Sequence, residues 1–190
     1  MDLRGTLRRR KPDKRSARLA PRPRPRPERA DDWTAFDEAA PLALVLDTGV
    51  YIHSAAGRLP AALQRCIERA LLFHCAVALA ELSVGVAAAD PRGPNWAALR
   101  DHYAELFAQI PDTRLLPPDA QTFADAGLVA GTLARLQGYQ SHQRTACLAD
   151  ALIFLTAARV GLPVLTANRD DFDLIQQLAP EGRFLAYERD

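Results

Sequence analysis

The chain has 190 residues, 24 Lys and Arg against 23 Asp and Glu for a net charge of +1, and three cysteines. That length holds one domain of about 150 residues with a proper core plus an extension, and excludes two large domains. No apolar run reaches the roughly 18 residues of a membrane span, and the charged start is not followed by an apolar signal core, so the chain is expected to be soluble and cytoplasmic. Cys66, Cys75 and Cys147 fall in apolar helix or strand patterns without metal-type spacing, as free buried thiols in a reducing compartment do.

The small net charge conceals an asymmetry. Residues 1–30 hold 12 Lys and Arg against Asp2, Asp13 and Glu28, a local charge of +9; the other 160 residues hold 12 Arg, no Lys and 20 acids, a charge of −8. Arg8-Arg9-Arg10-Lys11 leads into Pro21-Arg22-Pro23-Arg24-Pro25-Arg26-Pro27. Alternating Pro and Arg cannot bury a core and favours extended polyproline geometry, so residues 1–40 are expected to form a disordered basic arm that the domain does not need for folding. Such an arm is either an electrostatic contact for nucleic acid or a solvated tail.

Leu42-Ala43-Leu44-Val45-Leu46 reads as a first buried strand ending in Asp47-Thr48-Gly49. A helix is predicted over 60–70, a second strand begins at Leu71, and Ala78-Leu79-Ala80-Glu81-Leu82 belongs to another helix. Asp90-Pro91-Arg92-Gly93-Pro94 breaks it. Residues 96–110 form an amphipathic helix with Trp96, Leu99, Tyr103, Leu106, Phe107 and Ile110 on one stripe. Arg114-Leu115-Leu116 is a short third strand, and 118–136 a further helix. The polar stretch 138–144 reads as a loop leading to a helix over 149–160, apolar on nearly every side and so buried against a sheet. Gly161 stops that helix, Pro163-Val164-Leu165-Thr166 is a short buried strand, a helix begins near Phe172, and 183–187 is a last strand. Strands alternating with helices indicate an α/β fold around a mostly parallel sheet, whose ligands sit beyond the carboxyl ends of the strands.

Four carboxylate positions converge on that edge. Asp47 follows the first strand, Glu81 lies a turn or so of helix beyond the second, and Asp170 and Asp171 follow the strand at 163–166. Asp150, expected near the start of its helix, reaches the same edge if the preceding loop lies there. Each has an ordinary explanation: an Asx turn for Asp47, a helix cap for Asp170 or Asp171, the positive end of a helix for Asp150. Glu81 has the weakest, since Leu79, Ala80, Leu82 and Val84 around it are apolar. Carboxylates gathered at one edge repel and rise in pKa unless a cation neutralises them, and hard oxygen donors with few histidines suit Mg²⁺ or Mn²⁺.

These stretches resemble the PIN-domain ribonucleases, most closely the VapC-type toxins of bacterial toxin–antitoxin pairs. The matching segments are Leu44-Val45-Leu46-Asp47-Thr48-Gly49, Ala78-Leu79-Ala80-Glu81-Leu82, Ala149-Asp150-Ala151-Leu152-Ile153 and Leu165-Thr166-Ala167-Asn168-Arg169-Asp170-Asp171-Phe172, in the family's order. The resemblance implies a PIN-like three-layer α/β/α domain over 41–190. It implies Asp47, Glu81, Asp150 and Asp171 as catalytic, metal-holding acids, with Thr48, Thr166, Asn168 and Asp170 in support. Phe172 selects Asp171 over Asp170, because the family's fourth acid directly precedes an aromatic residue. The segment 90–111, the long loop at 138–144 and the Pro/Arg arm depart from the compact toxins.

The implied chemistry is metal-dependent hydrolysis of RNA phosphodiesters, with an antitoxin as a separate chain, a homodimer and no membrane. Arginines at the rim, such as Arg58, Arg144 or Arg169, or the arm itself, would attract the anionic substrate. Two other readings stand beside it. A haloacid-dehalogenase-type phosphatase also begins with an Asp after the first strand, but needs a second Asp where Gly49 stands. A PIN-like RNA-binding module without catalysis is the other, and the presence of all four acids disfavours it.

Overall fold

The computed structural model describes residues 3–10 and 42–188. Strand β1 (Ala43–Leu46) is central: it pairs in parallel with β2 (Leu71–Cys75) on one side and with β4 (Pro163–Thr166) on the other. Successive strand residues point to opposite faces, and Leu44, Val45 and Leu46 are all buried. Both faces of the sheet are therefore covered, which is why a run of four apolar residues rather than an alternating pattern marks the strand. β3 (Leu115–Leu116) extends β2, and β5 (Arg183–Ala186) extends β4. The five strands are all parallel, in the order β3-β2-β1-β4-β5. The chain builds outward from β1 to β3, then crosses to β4 on the opposite side, so the strand order reverses between β1 and β4. Crevices for ligands open at such a point, beyond the carboxyl ends of the two strands.

The helices are α1 (Leu3–Arg10), α2 (Thr48–Ala55), α3 (Ala61–Arg69), α4 (Ala76–Ala88), α5 (Trp96–Ala108), α6 (Ala120–Gln137), α7 (Ser141–Arg159) and α8 (Arg169–Leu178). The α/β fold read from the alternation of elements is the observed one, its all-parallel sheet flanked by helices as the resemblance implied. Phe154 of α7, Phe172 of α8 and Phe184 of β5 meet in the core, edge-on between the first two and tilted between the last two, all buried. Gly182 lies directly against Phe154, and a Cβ there would overlap the ring. None of the described helices is long and apolar enough to cross a membrane.

Four local readings of the sequence are corrected. The polar stretch 138–144 is not a long loop. Gly138, at φ 68°, ends α6 in the left-handed conformation, and α7 starts at Ser141, where Gln143 Oε1 accepts from the Gln140 N–H at 2.9 Å. Polar residues in the first turns of a helix that projects past the sheet read as loop because nothing apolar covers them. Asp150 therefore stands mid-way along a helix of 19 residues, not near its start. α8 begins at Arg169, ahead of Phe172, and α2 was not anticipated at all.

The fourth correction concerns the arm, expected to be disordered over 1–40. Residues 3–10 form α1, which packs on α6. Thr6 is fully buried and its hydroxyl accepts from the Gln121 amide. Arg10, one turn on, donates from Nε to Asp125 Oδ1 at 3.1 Å and meets Glu181 at 2.6 Å. Thr6 and Arg10 share a face because they are four residues apart, and the basic helix finds an acidic surface. Residues 11–41, with the Pro/Arg stretch and its expected nucleic-acid contact, lie outside the described residues.

Arg10→Ala takes a charged partner from the nearly buried Asp125. It is expected to cost about 1–3 kcal/mol and lower the thermal midpoint by roughly 2–4 °C for each of them. Calorimetric melting of the full chain measures this; an unchanged midpoint would mean that α1 adds nothing to the fold.

Candidate active site

Asp47 is both the residue that ends β1 and the N-cap of α2. Its N–H donates to the Leu165 carbonyl of the neighbouring strand at 3.0 Å, so its backbone is held at the reversal point. Its carboxylate is buried and engaged at both oxygens: Oδ1 accepts from the Thr48 N–H at 2.8 Å and Oδ2 from the Thr166 hydroxyl at 2.6 Å. The Thr48 hydroxyl donates to Glu81 Oε2, on α4, at 2.6 Å. Asn168 caps α8 and donates its backbone N–H to Thr166 Oγ1 at 2.9 Å. Its side-chain amide is shared between two carboxylates, reaching Asp150 Oδ2 at 3.2 Å and Asp171 Oδ2 at 2.9 Å. Tyr139 Oη donates to the other oxygen of Asp171 at 3.4 Å.

One hydrogen-bonded set thus runs from Asp47 through Thr166 and Asn168 to Asp150 and Asp171, and a second bond ties Glu81 to the helix that Asp47 begins. It brings together Asp47, Asp150 and Asp171 with Thr166 and Asn168, and sets Glu81 beside them through Thr48. Asp170 is exposed and takes no part. The ordinary explanations fare differently. Asp47, expected to form an Asx turn, caps a helix with the Thr48 N–H on its Oδ1. Asp150 is too far along α7 for the helix terminus to stabilise it, and neither Asp170 nor Asp171 is the cap of α8, since Asn168 holds that place. Tyr139 was missed. Within a polar stretch it carries no periodic signal, and only the left-handed turn at Gly138 brings it back towards Asp171.

The charges are crowded. Burial pushes Asp150 up to about 8, helped by the negative charges of Asp47, Asp171 and Glu81 and only partly offset by the Asn168 bond. Burial likewise pushes Asp47 up to about 6, against the bonds from Thr166 and Thr48 and with a further push from Glu81. The Cys147 thiol, one turn before Asp150 on α7, is raised to about 12 by burial and by Asp150 and Asp171. The donors are all hard oxygens, and each carboxylate oxygen accepts at most one hydrogen bond here, leaving lone pairs for a cation. A divalent metal of the Mg²⁺ or Mn²⁺ kind fits this donor set. Among the described residues no three acidic, His or Cys side chains already stand as a ligand shell.

No family model and no curated protein matches the sequence. Among solved structures, the chain is similar to one in FitAcB from Neisseria gonorrhoeae, at 20% identity and a TM-score of 0.56 over 75% of this chain and 96% of that one. It is similar to one in VapBC2 from Rickettsia felis bound to a DNA fragment from their promoter, at 14% identity and a TM-score of 0.53 over 77% and 100%. A third is VapBC-5 from Mycobacterium tuberculosis, a member of the VapBC family of toxin-antitoxin systems, at 28% identity and a TM-score of 0.51 over 77% and 100%. The fold is the PIN fold of VapC-type proteins. The fold that the sequence resemblance implied is therefore the observed one, and the part shared with these structures takes up about three-quarters of this chain.

The raised pKa values carry a pH dependence. Without metal, the native state keeps protons on Asp47 and Asp150 that the unfolded chain has released above the ordinary value of 3.8. Stability from these groups is fully present below that value and is lost as pH rises, through about 6 for Asp47 and about 8 for Asp150. Asp150→Asn cannot ionise, so its melting midpoint in chelator should gain on that of the wild type between about pH 5 and about pH 8.5. A constant difference across that range would mean that Asp150 is not buried among like charges.

Proposed function

We propose that this protein is a metal-dependent endoribonuclease, the toxin half of a toxin–antitoxin pair. The observation that carries the reading is the convergence of Asp47, Glu81, Asp150 and Asp171 at the strand-order reversal of a PIN fold, linked by Thr48, Thr166 and Asn168. One or two Mg²⁺ or Mn²⁺ ions would be held by Asp47 and Asp150, with Glu81 and Asp171 completing the shell directly or through water. Such an ion, when bound, supplies a water of lowered pKa and positive charge opposite the attacked phosphate. The chain's own groups do the orienting: Thr166 aims one oxygen of Asp47, Thr48 holds Glu81, and Asn168 keeps Asp150 and Asp171 together.

The anionic substrate needs positive charge at the rim. Arg144 is one candidate: its Nε donates to the backbone carbonyl of Tyr139 at 2.9 Å, and the hydroxyl at the far end of Tyr139 meets Asp171. An antitoxin would be a separate chain, in keeping with the VapBC toxin–antitoxin structures to which the chain is similar. A homodimer would use α3 and α5, where Trp96, Leu99, Leu106 and Phe107 remain half-buried around the buried Tyr103. Light scattering at micromolar concentration without antitoxin should give twice the chain mass; a monomer there counts against the dimer.

Cleavage of single-stranded RNA, with Mg²⁺ or Mn²⁺ and with chelator, tests the activity. RNA bound but never cut would favour a non-catalytic module. Asp47→Asn should abolish cleavage while its melting midpoint at about pH 8 stays level or rises, since a crowded charge is removed; unfolding would make Asp47 structural instead. Asp171→Asn should need more metal for the same rate, whereas Asp170→Asn should stay active at low metal and cost at most about 1 kcal/mol of stability. The reverse pattern would move the site by one residue.

A further inference from the structure

α2 is eight residues long and carries two anchoring groups of the site, the Asp47 cap and the Thr48 hydroxyl. A helix that short has no stability of its own, so its position depends on what it is bonded to. Two Tyr–His hydrogen bonds between buried side chains supply this. On one flank Tyr51 Oη and His74 Nδ1 are bonded at 2.7 Å, and His74 belongs to β2, in register with Leu46 at the end of β1. On the other flank His53 Nδ1 and Tyr187 Oη are bonded at 2.7 Å, with their rings edge-on at 86°. Residues two apart on a helix lie about 200° apart around its axis. The two bonds therefore grip α2 from nearly opposite sides, and together oppose the roll that one alone would permit.

The second pair also closes a ring. Tyr187 donates its N–H to the Thr166 carbonyl at 3.1 Å, the Thr166 hydroxyl holds Asp47, and Asp47 begins the helix on which His53 rides. Gly49 lies between: a Cβ there would stand 3.7 Å from Asp47 Oδ2 and 4.0 Å from His53 Cε1. We propose that Tyr51–His74 and His53–Tyr187 are positioning pairs of the site, holding α2 against roll so that the Asp47 carboxylate and, through the Thr48 hydroxyl, Glu81 stay arranged for a divalent cation. The proposal rests on the metal-site reading above. A role confined to folding would alter only the melting midpoint.

Tyr51→Phe and Tyr187→Phe remove each bond and keep the ring. In the full chain, Mn²⁺ affinity by titration calorimetry should fall about tenfold for each, the range seen when partners behind metal ligands are lost. Amide exchange of α2 without metal should quicken. Wild-type affinity with an earlier melt would overturn the proposal. A second comparison stands if those variants do not fold: His53→Asn can present an amide where Nδ1 lies, and His53→Leu cannot. Asn should bind Mn²⁺ about tenfold more tightly than Leu, and equal affinities overturn the idea. If the wild type takes up no Mn²⁺, the metal-site reading is what fails. Exchange then decides between faster opening confined to α2, which supports the clamp, and no change, which removes it.

Discussion

The bond from the Thr166 hydroxyl to Asp47, 2.6 Å long and buried, joins the carboxyl ends of the two strands between which the sheet reverses its order. Much of the site is arranged by reference to it. Asp47 can stay buried because that hydroxyl and the first N–H of α2 satisfy both of its oxygens. Thr166 in turn accepts from the Asn168 backbone, which sets the start of α8 and so the placing of the Asn168 amide. A single hydroxyl, donating once and accepting once, thereby couples strand order, helix capping and the spacing of three carboxylates.

This arrangement costs stability. Burial and mutual repulsion raise Asp150 and Asp47 well above ordinary carboxylates, and strain of this kind persists only where the rest of the structure over-determines it. The surroundings do so by packing rather than by opposite charge: no salt bridge is formed by the four acids among the described residues. α7 is buried from Ala151 to Ala157, and Phe154 locks it against Phe172 and Phe184. Asp150 immediately precedes this buried stretch of α7, which leaves it little freedom to retreat into water.

The charge asymmetry of the chain has a structural expression. The basic start and acidic domain meet where Arg10 bridges Asp125 of α6 and Glu181 ahead of β5. Glu181 precedes the amino end of β5, whereas the carboxylate set gathers at the opposite, carboxyl ends of β1 and β4, so α1 docks away from the candidate site. A basic helix placed there stabilises the domain without neutralising the acids that a cation would need.

Much of the sheet was determined by the sequence itself. Runs such as Ala43–Leu46 and Pro163–Thr166 are short, mostly apolar and fully or nearly fully buried, and a strand covered on both faces asks for that pattern. The order of the acids along the chain was equally legible, because each follows or faces a recognisable element. What the sequence alone left open was decided by contacts between distant residues. Whether Asp170 or Asp171 joins the set depends on α8 starting at Arg169, which turns one inward and leaves the other exposed. Asp150 looked like a residue near a helix start because the polar turns of α7 carry no apolar stripe. Tyr139 and the Tyr–His pairs around α2 are isolated polar residues without periodicity, and α1 looked like part of a charged tail. Local pattern reports burial; it does not report which buried or charged group another segment will meet, and that was settled only when β1, β4 and the helices around them were packed together.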